Sequence, residues 1–380
     1  MQLNNLQLRG FRNYTAFSAE FVPGVNLILG DNAQGKTNLL EAISYLSTGH
    51  GFRTRKEAEL IQFQAEFADL EGQIFSQGRE QTLRAVLFPG RKPRQLYLGG
   101  VKQKSFANFH GLLTTVLFCP EDLLVLKTGA SARRKLLDQA LCQLRPGYDR
   151  ALTEYNRLLE HKSRILKDGR EFPALYETLP DFNCRMAQVG AILIGYRANY
   201  LEKLAKCTEK YHFDFSGGKE NLVLQYKTVS TIDDPFAPKL ELEQKILEHQ
   251  ESHLRAELES GQCLTGPHKD DFDVFLDGIS LKAFGSQGQT RTAAISLKLA
   301  EREIFRDDTG EEPVLLLDDV LSELDARRQD FVLNQIKSGQ VFITCCEKDR
   351  LTELGEVIFI KNGQKSLPLE GKVTEQSEVG

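Results

Sequence analysis

The feature that most constrains this chain is a glycine-rich loop placed between a predicted strand and a predicted helix. The apolar run at residues 25–29 precedes the loop, and apolar residues recur at helical spacing from 39 to 46. Glycines in such a loop let the backbone wrap phosphate oxygens, and the helix N-terminus favours the anion. The loop fits G-x-x-x-x-G-K-[ST] and predicts a nucleotide-phosphate site in an α/β fold. Its residues are Gly30, Asp31, Asn32, Ala33, Gln34, Gly35, Lys36 and Thr37.

Two side chains at the end of this loop have distinct predicted roles. Lys36 is expected to reach the outer phosphates of ATP, and the Thr37 hydroxyl is expected to bind Mg²⁺. Asn38 follows directly and is included in the predicted nucleotide-binding set. ATP and Mg²⁺ are therefore the predicted cofactors.

A second element of the predicted nucleotide site lies far downstream. The apolar run at 314–317 reads as a buried strand, and it ends in Asp318 and Asp319. Because the carboxyl ends of parallel strands form the ligand crevice, Asp318 is predicted to hold the metal and Asp319 to orient or deprotonate water. Lys36, Asp318 and Asp319 are the predicted catalytic residues.

A third element is a run of polar and small residues at the start of a predicted helix. A serine hydroxyl, backbone N–H groups and the helix dipole suit a phosphate, yet the chain already carries one phosphate loop. A second anion site predicts that a second copy closes on the nucleotide, giving an ATP-dependent homodimer. The alternative is an ordinary capped helix start. The run consists of Ser286, Gln287, Gly288 and Gln289.

The charge balance limits how the chain binds nucleic acid. Its net charge is -5, which argues against coating DNA through bulk positive charge, so contact with phosphates requires local basic clusters. The alternative for any such cluster is a solvated surface. A further basic run is at 133–135. The candidate DNA-binding residues are Arg53, Arg55, Lys56, Arg91, Lys92, Arg94, Lys102 and Lys104.

Hydropathy and cysteine usage predict a cytoplasmic protein with no membrane partner. The N-terminus lacks a long apolar stretch, and the longest apolar runs are far shorter than a bilayer span. Seven cysteines are scattered without a C-x-x-C pair, which favours reduced thiols.

Strand-like and helical patterns divide the chain into regions. Residues 1–130 and 261–380 are predicted to form two halves of one ATPase domain, and residues 131–260 an inserted helical domain. Prolines interrupt the insertion, so no long coiled coil is expected. Residues 363–380 are predicted to be a flexible tail. The predicted fold class is α/β, with mixed sheet layers around the nucleotide site.

Several motifs together resemble the RecF family of ABC-type, SMC-like ATPases. The resemblance extends from residue 8 to residue 325 and therefore covers most of the chain. Its parts are LRGFRNY at 8–14, the phosphate loop, GFRT at 51–54, FCPEDL at 118–123, TGPHKDD at 265–271, SQGQ at 286–289 and LLLDDVLSELD at 315–325.

This resemblance implies a function in DNA replication, DNA repair and the SOS response to DNA damage. It implies an ATP-dependent dimer that binds DNA, both double-stranded and single-stranded, at gaps and junctions. It also implies that the protein works with RecO and RecR to help load RecA, and that its ATP hydrolysis is slow and stimulated by DNA.

The resemblance assigns roles to individual residues of this sequence. Lys36 and Thr37 take the Walker A roles, and Asp318 the Walker B role. The dimer contact is assigned to the signature residues Ser286 and Gly288 and to the D-loop at 322–325, which ends in Asp325.

Other positions matched to the family leave alternatives open. Arg12 and Asn13 match the position beside the base, or else form a solvated strand-end turn. Glu121 stands where many ABC ATPases place a Q-loop glutamine. Thr344 stands where a switch histidine often lies and either contacts phosphate or caps its strand. His268 is either catalytic or a structural hydrogen-bonding residue.

Three other classes of protein are alternatives to an ATP-dependent dimer that closes on DNA. A nucleotide-gated scaffold would recruit partner proteins, with DNA contact incidental. A transport ATPase is disfavoured by the absence of membrane-coupling features, and an SMC-like chromosome organiser by the absence of long heptad arms.

Overall fold

The computed structural model describes residues 1–54, 56–346 and 353–366. The strands are β1 (Gln2–Phe11), β2 (Tyr14–Glu20), β3 (Val25–Leu29), β4 (Ala68–Ser76), β5 (Arg79–Leu87), β6 (Gln95–Leu98), β7 (Val101–Gln103), β8 (Thr115–Phe118), β9 (Leu222–Lys227), β10 (Asp271–Leu276), β11 (Ile279–Ser280), β12 (Val314–Asp318), β13 (Val341–Cys345), β14 (Glu356–Lys361) and β15 (Gln364–Ser366). The helices are α1 (Lys36–Thr48), α2 (Ala130–Leu144), α3 (Pro146–Asp168), α4 (Leu179–Ser216), α5 (Lys239–Ser260), α6 (Leu281–Phe284), α7 (Gln287–Thr309) and α8 (Ala326–Gln335).

A mainly parallel sheet forms the centre of the molecule. Its order is β15-β14-β3-β13-β12-β8, and all neighbours are parallel except the β14–β15 pair. Its inner strands are nearly continuous apolar runs because both faces are buried. In β12, Leu316 packs into one hydrophobic cluster while Leu315 and Leu317 pack into another on the opposite face.

An antiparallel sheet covers one face of the parallel sheet. Its order is β2-β1-β4-β5-β6-β7, and α1 packs between the two sheets. Leu39 and Leu40 of α1 share their cluster with Leu3 and Leu70 of the antiparallel sheet and with Phe342 of the parallel sheet. The helix that follows the phosphate loop is therefore held between the two sheets.

Helices cover the opposite face of the parallel sheet. Residues of α2, α3, α4 and α7 pack with the sheet side chains Leu315 and Ile343 in the largest hydrophobic cluster. The helix that the sequence predicts at the signature run is α7, and Ser286 caps its start. Pro180 and Pro146 lie in the first turns of α4 and α3, where proline is tolerated.

The region 131–260 is mostly helical, but it also contains a strand that the sequence analysis missed. β9 pairs antiparallel with β10, which lies in the second ATPase half, and β11 completes a three-stranded sheet. The helices of this region also share their hydrophobic cluster with the parallel sheet. The division into two ATPase halves and a helical insertion stays a prediction, and β9 adds one strand to the mostly helical region.

The predicted C-terminal tail begins too early. Residues Gln364–Ser366 form β15, which pairs with β14, because the turn at Asn362 and Gly363 brings the chain back on itself. Residues 367–380 lie outside the described part of the chain.

Within the described ranges, none of the helices combines the length and the apolar character that crossing a membrane requires.

Candidate functional site

Three neighbouring parallel strands end at the same edge of the central sheet. β3 leads into the phosphate loop, β12 ends at Asp318, and β13 ends at Cys345. Asp318 is in register with Thr344, and Cys345 with Leu29. The topology therefore places the loop and the acidic strand end side by side, although the sequence separates them widely.

The phosphate loop curls around the ammonium of Lys36. The Lys36 Nζ donates to the carbonyls of Gly30 at 2.5 Å and Asp31 at 3.0 Å, and it lies 3.3 Å from the Cys346 Sγ. Cys346 in turn contacts Asn32 Oδ1 at 2.9 Å. The ammonium therefore lies at the mouth of the loop. A phosphate bound there would replace these carbonyl groups as the hydrogen-bond acceptor of Lys36.

Residues distant in sequence hold the middle of the loop. The backbone carbonyl of Gln34 accepts from Asn13 Nδ2 at 2.9 Å and from the Gly363 N–H at 3.0 Å. The Gln34 Oε1 accepts from the Asn362 N–H at 2.6 Å. Gly35 has a φ of 113°, and a Cβ there would lie 2.6 Å from the Asn13 amide, so only glycine fits. Asn13 thus supports the loop, whatever contact it makes with a base.

The Thr37 hydroxyl and the Asp318 carboxylate meet directly. The Thr37 Oγ1 donates to Asp318 Oδ1 at 2.9 Å, and the Thr344 Oγ1 donates to the same oxygen at 3.0 Å. Burial raises the pKa of Asp318, and these two hydrogen bonds only partly oppose that effect. A buried carboxylate beside a hydroxyl is a set of hard oxygen donors that fits Mg²⁺, whose charge would offset the burial.

Asp319 follows in a strained turn. Its φ is 52°, in the left-handed region, and its N–H donates to the Thr344 Oγ1 at 2.8 Å. The Ser322 Oγ donates to the Asp319 carbonyl at 2.7 Å. These contacts hold the Asp319 backbone in its left-handed conformation.

Arg12 is engaged inside the chain rather than solvated. Its Nε donates to the Glu41 carboxylate at 2.8 Å, and its Nη1 donates to the Glu59 carbonyl at 2.9 Å. Glu41 is fully buried and also accepts from the Arg53 N–H at 3.1 Å. The alternative of a solvated strand-end turn is therefore excluded for Arg12, whereas contact with a base stays a prediction.

A cavity of about 510 Å³ opens beside the acidic strand end. Thr37, Asp318 and Asp319 line it, together with Arg53 and Glu121. The charge of Arg53 also lowers the pKa of Asp318, although burial raises it by more. Arg53, predicted as a DNA contact, is exposed where it lines this cavity, and its contact with DNA stays a prediction. Glu121 reaches the same cavity from the turn after β8.

The signature run forms a capping box at the start of α7. The Ser286 Oγ accepts from the Gln289 N–H at 3.2 Å, and the Gln289 Oε1 accepts from the Ser286 N–H at 3.0 Å. Among the described residues, those that line the cavity beside Thr37 include none of 286–289. The signature run therefore lies apart from the cavity beside Thr37 in the same chain.

The D-loop lies against the signature run. The Asp325 side chain caps α8 by accepting from the Arg328 N–H at 3.0 Å, and the Arg328 Nη2 donates to the Gly288 carbonyl at 2.9 Å. The Arg291 Nη1 donates to the Glu323 carbonyl at 2.7 Å. The two segments predicted to face a second copy therefore form one connected surface.

The predicted DNA-binding residues fall into separate groups. Lys102 and Lys104 are exposed on and after β7, at the far edge of the antiparallel sheet. Arg91 is exposed, and the Lys92 ammonium lies 3.6 Å from the Phe88 ring centroid in the β5–β6 connection. Lys56 is exposed, and Arg55 lies outside the described residues.

Two basic residues named from the sequence are paired with carboxylates inside the chain. The Arg94 Nη1 bonds Glu57 Oε1 at 2.5 Å and also the Gly49 carbonyl, while contact of Arg94 with DNA stays a prediction. The Arg133 guanidinium is buried and binds both carboxylate oxygens of Asp271, at 2.7 Å and 2.8 Å. Intramolecular carboxylates neutralise both cations, which sequence clusters alone do not reveal.

His268 has a structural environment. Its Nδ1 lies 3.0 Å from the Tyr155 hydroxyl, and its Nε2 lies 3.2 Å from the Cys263 carbonyl. Burial lowers the pKa of His268 to about 4, so the ring is neutral at neutral pH. It does not line the cavity beside Thr37. The structural alternative for His268 is therefore favoured over the catalytic one.

Sequence reasoning missed several residues of the site. Cys346 contacts both Lys36 and Asn32, and the turn at Asn362 and Gly363 closes on the phosphate loop. No local pattern marks these positions. They come beside the loop because β13 and β14 flank β3 in the parallel sheet, an order that the sequence pattern does not state.

The fold and the site define an ABC-type P-loop ATPase head. Comparison with known proteins agrees: the family model for the RecF/RecN/SMC N terminal domain matches residues 2–367. The DNA replication and repair protein RecF of Acetivibrio thermocellus is 36% identical over 367 residues, covering 95% of this chain and 98% of that protein. That of Listeria welshimeri is 39% identical over 351 residues, covering 90% and 92%.

A solved structure of the recombination mediator protein RecF with ATPγS, from the RecFOR pathway, is similar throughout. It has a TM-score of 0.89 and 34% identity, and the match covers 96% of this chain and 97% of that one. The chain belongs to the RecF family of DNA replication and repair proteins.

Proposed function

We propose that this chain is an ATP-dependent DNA-binding protein of recombinational repair whose two copies close on ATP. The observation that carries the proposal is the 2.9 Å contact between Thr37 Oγ1 and Asp318 Oδ1, which joins the phosphate loop to the acidic strand end. A related RecF has been solved with ATP, and its match covers 96% of this chain at 35% identity. The phosphate groups of ATP also suit the phosphate loop of this chain.

The chain's own residues have separable tasks in ATP hydrolysis. Lys36 and the loop amides bind and orient the phosphates, and Asp319 accepts a hydrogen bond from the attacking water. Thr37 and Asp318 would hold Mg²⁺, which supplies charge neutralisation when bound. Arg53 adds a fixed positive charge to the same cavity. Positioning and charge compensation of this kind are what phosphoryl transfer chiefly requires.

We propose the dimer because one chain carries two groups suited to phosphate, the phosphate loop and the start of α7. Ser286 and Gly288 lie outside the lining of the cavity beside Thr37, yet they offer a hydroxyl and helix N-terminal amides suited to phosphate. We propose that they contact the nucleotide held by the second copy, with the D-loop residue Asp325 at the seam. ATP binding would then close the dimer, and slow, DNA-stimulated hydrolysis would open it.

The proposed ligand of the closed dimer is DNA, both double-stranded and single-stranded, at gaps and junctions. The exposed cations that support this proposal are Arg91, Lys92, Lys102 and Lys104 of the antiparallel sheet. Cooperation with RecO and RecR in loading RecA, within the cytoplasm, is proposed from the family and from the RecFOR pathway of the related structure.

Sedimentation of the purified chain tests the proposal. The conditions are Mg-ATP, Mg-ADP and no nucleotide, each with and without a gapped duplex. The expected result is a dimer only with ATP, and a larger complex when DNA is added. DNA affinity should fall steeply with salt and weaken when Arg91 and Lys92 are both changed to Gln. A chain that stays monomeric with ATP contradicts the dimer. Partner binding that survives without either DNA effect indicates the scaffold instead.

A further inference from the structure

The start of α7 is connected to the end of α4 by a chain of side-chain contacts. His212, in the last turns of α4, lies with its Nε2 2.9 Å from Glu220 Oε2. The other oxygen, Glu220 Oε1, accepts from Gln289 Nε2 at 3.5 Å. Gln289 is the residue that forms the capping box with Ser286. Glu220 therefore bridges the helical region and the signature run.

The Glu220 carboxylate and the Ser286 N–H favour the same orientation of the Gln289 amide. A carboxylate only accepts hydrogen bonds, so it selects the NH₂ side of the amide and leaves Oε1 directed at the Ser286 N–H. In the flipped amide, Oε1 would face the carboxylate and the NH₂ would face another donor. Both contacts would then be repulsive, and the capping box would lose one of its two hydrogen bonds.

The histidine holds the carboxylate in place. His212 is completely buried, and its Nδ1 has no hydrogen-bond partner within the described chain. Burial lowers the pKa of His212, although the Glu220 charge opposes this, so a neutral ring with its proton on Nε2 fits the site. In that tautomer the bare Nδ1 carries no unsatisfied proton, and the Nε2–H donates to Glu220.

The same end of α4 also contacts the helix that follows the D-loop. The Arg327 Nη2 donates to the Phe215 carbonyl at 2.9 Å, and its guanidinium lies 5.0 Å from the Phe215 ring centroid. Arg328 binds the Gly288 carbonyl from this helix. The signature run is thus held from two directions, by Glu220 beyond α4 and by Arg328 of α8.

We propose that Glu220 is a positioning residue that sets the geometry of the signature run for the second copy's nucleotide. This inference rests on the proposed function for its consequence, namely ATP-dependent closure of the dimer. Its direct effect belongs to the single chain, because the contacts that carry it all lie within one copy. The effect within a single chain and the effect on dimer closure can therefore be measured separately.

The experiment compares three variants of the full chain. Glu220→Ala removes both hydrogen bonds. Glu220→Gln keeps one oxygen for Gln289 but sacrifices the His212 contact, because its NH₂ would face Nε2 and require a buried Nδ1–H without a partner among the described residues. Asp214→Ala is the matched control, because it also removes a carboxylate from the end of α4 but from an exposed position.

Amide hydrogen exchange without nucleotide is the first measurement. Glu220→Ala should speed exchange of the Ser286 and Gln289 amides about three- to tenfold, the range expected for one lost hydrogen bond. Glu220→Gln and Asp214→Ala should stay within about twofold of the original chain. Unchanged exchange in Glu220→Ala overturns the proposal, as does an equal effect of Asp214→Ala.

Dimer affinity in Mg-ATP is the second measurement. Glu220→Ala should weaken the dimer about tenfold while nucleotide affinity of the single chain is kept. Adding Glu220→Ala to Gln289→Ala should produce no further loss, because both changes break one connection. Fully additive effects overturn the proposal, and this cycle also covers a Glu220→Ala chain that folds poorly. If the original chain never dimerises, the proposed function fails, while the exchange result still decides the role of Glu220.

Discussion

The Thr344 hydroxyl donates to Asp318 Oδ1 at 3.0 Å and at the same time accepts from the Asp319 N–H at 2.8 Å. One side chain of β13 thus fixes both acidic residues at the end of β12. A hydroxyl is the smallest group that can serve an acceptor and a donor together. The position is therefore sensitive to the loss of a single oxygen atom.

Thr344→Val is expected to lower ATP turnover and stability while preserving the shape of the side chain. The Asp319 N–H loses its acceptor, which should cost about 1–2 kcal/mol of unfolding free energy. Urea unfolding and phosphate release measure the two effects. Thr344→Ser retains the hydroxyl and should restore turnover. Equal turnover in the Val and Ser variants would show that the bridge has no catalytic role.

Lys36→Arg should retain nucleotide binding and lose hydrolysis. The ammonium is nearly buried among the Gly30 and Asp31 carbonyls, so the larger guanidinium keeps the charge but displaces it. Turnover should fall by about 100-fold or more. Binding of a fluorescent ATP analogue and phosphate release distinguish the two steps, with the exposed Lys102→Arg as the control. Normal turnover in Lys36→Arg would remove Lys36 from the catalytic set.

Arg53→Ala should impair ATP hydrolysis more than DNA binding. Arg53 lines the cavity with Thr37 and Asp318, and its charge acts on Asp318. Turnover without DNA should fall about 10- to 100-fold, whereas DNA affinity should change by less than about threefold. Lys104→Ala, on the exposed edge, should show the reverse pattern. A loss of DNA affinity at unchanged basal turnover would instead support Arg53 as a DNA contact.

Ser286→Arg should keep the chain monomeric in ATP. The bulky cation replaces the cap of α7 at the surface predicted to meet the second copy. Light scattering with Mg-ATP measures the mass of the particle. Ser260→Arg makes the same change at the exposed end of α5 and should dimerise normally. An intact ATP-dependent dimer of Ser286→Arg would exclude the proposed contact between copies.

Asp271→Asn should lower the free energy of unfolding at neutral pH and weaken the dependence of that free energy on pH. Burial raises the pKa of Asp271, but the hydrogen bonds and charge of Arg133 lower it by more, so it lies below the ordinary 3.8. A depressed carboxyl pKa stabilises the fold above the unfolded value, and this contribution is lost as the pH falls below it.

Unfolding at about pH 7 and about pH 3 measures this dependence, since the lower pH protonates unfolded carboxylates. At pH 7 the variant should lose about 2–3 kcal/mol, because the buried Arg133 keeps no charged partner. Asp273→Asn, on the same strand, is the control. An equal acid response of the original chain and Asp271→Asn would show that this ion pair is not linked to stability.

The sequence predicts those parts of the molecule whose conformation is determined by neighbouring residues. The turn from β3 into α1 follows from Gly30 to Thr37, and the buried strand β12 follows from its apolar run. The α/β class and the ABC-type head are confirmed. The roles of individual site residues stay predictions, although the fold brings Thr37 and Asp318 into contact.

The parts that sequence reasoning missed depend on which distant groups meet. The sequence alone suggests that Arg94 and Arg133 are free cations. In the fold, Arg94 pairs with Glu57 and Arg133 pairs with Asp271. β9 was missed because its partner strand β10 lies beyond a whole helix in sequence. Tertiary packing decides such pairings, and a short stretch of sequence does not reveal which distant residues will meet.

β3 lies between β13 and β14, so a strand formed by residues 25–29 finds its two partners only after residue 361. A ribosome must therefore synthesise the chain through β14 before the loop after β3 can acquire its supporting neighbours. Newly made fragments that end before β14 should be unable to hold nucleotide, and this delays any ATP-driven pairing of copies until that strand has been made.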